Sequence, residues 1–150
     1  MTDISFTFER REGEPPSGFE LGDLVVTTTT SSVSSKGRQP DAGMMVYLAL
    51  VDLMNGISSL LTGDNRRYEF VGADSSFILL FIRSKTGTTI RQGNTDLGTV
   101  DLGRLCEQLL ADVDRFLAEH PLPPTDGVFH DVTTARERFR ELVAATRGPE

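Results

Sequence analysis

The spacing of apolar residues changes several times along the chain, and each change marks an element. Ile4, Phe6 and Phe8 alternate with Ser5, Thr7 and Glu9, the two-residue repeat of a strand with one buried face. Glu12 to Gly22 carries Pro15, Pro16, Gly18 and Gly22 and reads as a loop, with Phe19 and Leu21 expected to pin it to the body. From Asp23 to Val33 β-branched residues dominate. This predicts a long second strand, bent or bulged, with threonine faces open to water and an edge hairpin with the first strand. Gly37 and Pro40 make Ser34 to Asp41 a flexible connection.

Met44 to Leu61 is the first predicted helix. Tyr47, Leu50, Val51, Met54, Ile57 and Leu61 return every three or four residues, opposite a narrow polar stripe of Asp52, Asn55, Gly56 and Ser59. Gly63 is placed to stop it. Arg67 to Val71 then alternates, with Tyr68 and Phe70 on one face and Arg67, Glu69 and Val71 on the other. Phe77 to Arg83 is apolar on both faces through Ile82, as in a central strand, and Thr88 to Arg91 completes a meander. Gly98 to Asp101 reads as a short bridge into the clearest helix, Asp101 to Glu119. There Leu102, Leu105, Cys106, Leu109, Leu110, Val113, Phe116 and Leu117 form one stripe and Asp101 is the expected N-cap. Prolines 121, 123 and 124 end it, and Val128 and Phe129 turn the connection inward. A last helix opens at Thr133 or Thr134, where Thr134 and Glu137 have capping-box spacing, and buries Ala135, Phe139, Leu142 and Val143.

Each apolar helix stripe needs an apolar surface to cover it. The order of elements therefore predicts an α+β fold: a mostly antiparallel sheet of about five strands, with three helices packed mainly on one face. A length of 150 residues suits one compact domain, with flexible ends near 1–2 and 147–150.

Charge narrows the functional classes. Twenty-two Asp and Glu outnumber fifteen Lys and Arg, for a net charge of −7. The basic pairs Arg10-Arg11 and Arg66-Arg67 are too short to form a patch, which argues against nucleic acid and anionic membranes. An acidic surface favours a protein partner with a basic patch. The first fourteen residues lack an apolar leader core, and Asp52 interrupts the apolar run from Met44 to Met54, so no membrane segment is expected. The single cysteine, Cys106, excludes an internal disulfide, and together with the missing leader points to the reducing cytoplasm.

Signatures of chemistry are scarce. The chain holds no Gly-x-Ser-x-Gly elbow, no Gly-x-Gly-x-x-Gly turn and no Walker sequence. Cys106 lies on an apolar helix stripe, and His120 and His130 lack zinc-site spacing. No catalytic residue, metal or cofactor is therefore assigned. A non-enzymatic protein-binding module fits best, such as a small inhibitor or immunity-like neutraliser acting by steric and electrostatic occlusion. Its candidate contacts are Asp52, Asn55 and Ser59 on one helix surface, and Glu69, Arg83 and Arg91 on an exposed sheet face. His130 and Asp131 are the candidates for the alternative, a small-ligand-binding or enzymatic domain. A third class, a structural homo-oligomer, would use the Val25–Val33 segment as an open edge.

Overall fold

The computed structural model describes residues 2–11 and 13–146. Among these residues, three helices and two four-stranded antiparallel sheets make a mixed α+β fold. The first sheet contains β1 (Ile4–Arg10), β2 (Leu21–Thr28), β3 (Ser32–Ser34) and β4 (Met44–Met45). Helix α1 (Val46–Thr62) follows, and then the meander β5 (Arg67–Val71), β6 (Ile78–Ser84), β7 (Gly87–Gln92) and β8 (Thr95–Val100). Helices α2 (Leu102–Glu119) and α3 (Phe129–Thr146) follow.

The alternation at Ile4, Phe6 and Phe8 buries all three on one face of β1, and β2 answers with Leu24 and Val26. The Ser/Thr tract does not continue as one strand. Thr28 Oγ1 accepts the amides of Thr30 and Ser31, and the Thr28 amide donates to the Ser31 carbonyl at 2.8 Å. The chain reverses there, and β3 returns along β2 with Val33 opposite Val26. β2 is thus an interior strand, paired with β1 on one side and with β3 and β4 on the other. The expected open edge over Val25–Val33 shrinks to the three residues of β3.

In the meander, β6 lies between β5 and β7, as its apolar sequence predicts. Phe70, Leu79, Phe81 and Ile90 are buried on the inner face. The segment expected to bridge into the second helix is strand β8, whose Leu97 and Val100 reach the core while Gly98 bends its backbone at φ 99°.

Helix α1 sits at the centre. Its apolar circumference meets both sheets and both other helices, so Tyr47, Leu50, Leu53, Met54 and Ile57 are fully buried. Gly56 has a packing reason: a Cβ there would overlap the Tyr68 ring. Gly63 ends the helix in the left-handed conformation at φ 85°, donating to the Leu60 carbonyl. Helix α2 closes the open side of β1, where buried Asp112 accepts the Phe6 amide at 2.8 Å. A carboxylate thus occupies an edge that would otherwise invite another strand.

Three further expectations change. Phe19 does not pin its loop but stands 59% exposed. Helix α3 begins at Phe129, four residues before the earlier of the two expected starts, because Asp126 accepts the Val128 amide at 2.9 Å ahead of it. Thr134 is then inside the helix and forms no capping box. Thr2, expected to be loose, donates its amide to the Thr99 carbonyl at 2.9 Å; Met1 and 147–150 lie outside the described residues.

Candidate functional site

Two helical stripes meet at the surface between α1 and α3. Leu48 lies three and four residues before Val51 and Asp52, and Asn55 four and three after them, so the four share a side of α1. His130, Asp131, Thr134, Ala135 and Arg138 do the same on α3. Together they line a groove of about 530 Å³. Half-buried Leu48 and Val51 with buried Ala135 give it an apolar floor, while Asp52, Asn55, His130, Asp131 and Arg138 are exposed around it. The structure therefore brings together two pairs of residues that the sequence offered for separate roles.

The early start of α3 makes this possible. It places His130 and Asp131 in the first helical turn, in line with Thr134 and Arg138, rather than in a loop. Asp131 there also faces the positive end of the helix dipole. Asp52 has a different environment. Tyr68 donates its hydroxyl to the Asp52 backbone carbonyl at 3.0 Å. Desolvation raises the Asp52 carboxyl above the usual carboxylate range, with Tyr68 hydrogen bonding opposing the shift. Neither Asp52 nor Asp131 forms an ion pair among the described residues.

The other named residues lie elsewhere. Ser59 turns its hydroxyl back to the Gly56 carbonyl at 2.6 Å and does not line the groove. Glu69 and Arg91 both oppose Leu80, so they form one row across the outer face of the meander. Arg83 does not join them. It opposes buried Thr88, on the inner side, and donates to the Leu60 carbonyl at the end of α1. A guanidinium satisfying final helix carbonyls is a C-terminal cap, so Arg83 is not part of an exposed sheet face.

Cys106 is fully buried, and burial pushes its thiol up to about 12, which removes the thiolate needed for nucleophilic chemistry. Among the described residues no group of three or more His, Cys, Asp or Glu is placed to hold a metal ion, and no helix is long and apolar enough to cross a membrane.

Sequence reasoning missed the densest polar cluster. Arg10 pairs with Glu20 at 2.6 Å, with side chains only 6% and 3% exposed. Arg11 binds Asp23 and Asp41, each at 2.8 Å, and Ser35 donates to Asp23 at 2.7 Å. These hydrogen bonds hold the Asp23 and Asp41 carboxyls low, Asp41 at about 2. Every charge in this cluster has a partner, so it clamps the loop after β1 instead of offering free groups. Compared with protein-family models, curated proteins and solved structures, the chain matches none, and its site is defined by its own geometry.

Proposed function

We propose that the protein is a non-enzymatic binding module whose α1–α3 groove receives a basic segment of a partner protein. The observation that carries this is the convergence of two carboxylates without ion pairs, Asp52 and Asp131, over an apolar floor. A lysine or arginine suits such a trough, because its methylene stem covers apolar surface while its head reaches an acid. Asn55 and Thr134 offer neutral hydrogen bonds beside it. Seating a partner there would block whatever that basic segment otherwise contacts, which is the occlusion expected of an inhibitor or neutraliser.

The main rival, a small-ligand or catalytic pocket, draws on the same His130 and Asp131. The exposure of five lining residues favours recognition of a segment over enclosure of a small molecule.

The test is an amide chemical-shift titration of the full chain with short peptides carrying lysine or arginine, and with acidic peptides as the contrast. Basic peptides are expected to shift Val51, Asp52, Asn55, Thr134 and Ala135, and the D52N/D131N double variant to lose the response. Shifts confined to another surface, or equal binding of acidic peptides, would count against the groove. A cation favours ionised Asp52, whose carboxyl is raised in the free protein. Binding should therefore release protons and weaken as pH falls through that group's titration.

A further inference from the structure

The outer face of the β5–β8 meander carries a pattern unrelated to the groove. Along the middle of it β6 presents Ile78, Leu80 and Ile82. Ile78 is 42% exposed and its cross-strand neighbour Val71 is 43% exposed, so two of the three large exposed apolar side chains among the described residues lie side by side. Adjacent apolar exposure of this kind marks an interaction surface more often than scattered single residues do. Three charges flank the spine: Arg67 on β5 opposes Ile82, and the other two share one level. Glu69 on β5 and Arg91 on β7 both oppose Leu80, on opposite sides of it. Both are exposed, and neither forms an ion pair among the described residues.

We infer that this face binds a second copy of the same chain, sheet on sheet, about a two-fold axis running along β6. That axis lies between the two sheets and exchanges their left and right sides. The β6 spine then meets itself, apolar on apolar, while each Glu69 faces the partner's Arg91. The other in-plane axis, perpendicular to the strands, would set Glu69 against Glu69 and Arg91 against Arg91 at the level of Leu80, or, shifted to pair Glu69 with Arg67, would leave Arg91 facing Thr89; only the axis along β6 gives both Glu69 and Arg91 an opposite charge. Sheets stacked in this way keep their strands roughly aligned, about 30° apart, with interdigitating inner side chains. The contact is isologous and closes at two copies. It stands apart from the groove, which lies between the helices.

Sedimentation velocity of the full chain across a concentration series tests this, with far-ultraviolet circular dichroism to confirm that each variant is folded. The wild type is expected to shift from monomer to dimer as concentration rises. E69R and R91E should each raise the dissociation constant at least about tenfold, since each reversal places like charges together twice per dimer. The double variant E69R/R91E should return to within about threefold of wild type, because the pair is restored with its signs exchanged. D52N, in the groove, should dimerise as wild type does and so separates the two surfaces. A wild type that stays monomeric throughout overturns the inference. So does a dimer that both single reversals leave intact, or one that the double variant does not rescue.

Discussion

The two sheets treat charge in opposite ways. In the first, charges near the strands are paired and partly covered: Arg10 with Glu20, Arg11 with Asp23 and Asp41, and Lys36 with Glu9. Even the open side of β1 is closed by Asp112. On the meander, Arg67, Glu69 and Arg91 stand in solvent without ion pairs among the described residues. A charge already held by a neighbour fixes the fold, and its binding capacity is used. A charge held by nothing costs the monomer little and remains available. The difference therefore separates scaffold from surface more sharply than composition does.

The sharpest way to break the contrast is to remove one member of the covered pair. R10A leaves Glu20 with its chief partner gone. Both side chains are covered, but Glu20 keeps the Ser17 amide as a donor, so the expected loss is about 3 kcal/mol, the low end for a broken buried pair. Urea denaturation measures it. Next, D112A removes the acceptor for the Phe6 amide and for Gln108 and Arg115. It should cost about 2 kcal/mol by the same method, because a buried donor is left unsatisfied.

Acid probes the same cluster. Asp23 and Asp41 have lowered carboxyls in the folded protein. Their stabilisation is therefore fully present above the unfolded value near 3.8 and is lost as pH falls below it, through about 2 for Asp41. Stability measured across that interval should fall, and D23N should flatten the slope. If D23N leaves the slope unchanged, the ion cluster is not what acid undoes.

Two buried threonines repeat the contrast on a smaller scale. Thr28 donates to the Leu97 carbonyl at 2.6 Å, whereas the Thr88 hydroxyl has no hydrogen-bond partner among the described residues. T88V should stabilise the protein by about 1 kcal/mol and T28V should destabilise it by a similar amount, read as opposite shifts in the urea midpoint. The smallest effect belongs to the open face. E69A and R91A should each change the stability of the monomer by less than about 0.5 kcal/mol. A larger loss would mean that these charges are structural after all.

Much of the fold was legible in the pattern of the chain. Alternation at Ile4, Phe6 and Phe8 gave a strand, and the apolar circumference of α1 gave a central helix. Asp101 accepts the Arg104 amide at 3.0 Å as its position predicts. The failures fall where local signals compete. The run of β-branched residues after Asp23 hid a reversal made by the Thr28 hydroxyl, and Thr134 has cap spacing inside a helix that already starts after a turn held by Asp126. Phe19 was misplaced because an aromatic in a loop normally seeks cover. Here the loop is held by Arg10, Glu20 and the contact of the Gly18 amide with Asp126, so Phe19 need not anchor it.

For the site, the sequence supplied residues and the tertiary structure supplied company. Asp52 and Asn55 were visible because they interrupt an apolar helix, and His130 and Asp131 because they adjoin. Nothing in their spacing joins positions nearly eighty residues apart; the packing of α3 on α1 does so. Arg83 reads as surface in sequence, and only its reach to the end of α1 makes it a cap.

What the sequence determined by itself is the set of elements, their buried faces and most of their ends, because periodicity and capping act within a few residues. The fold decided which polar groups meet. Arg10 finds Glu20 ten residues away, and Phe6 finds Asp112 across 106 residues. Pairing at such distances depends on how strands and helices pack in space, and local pattern carries no record of it.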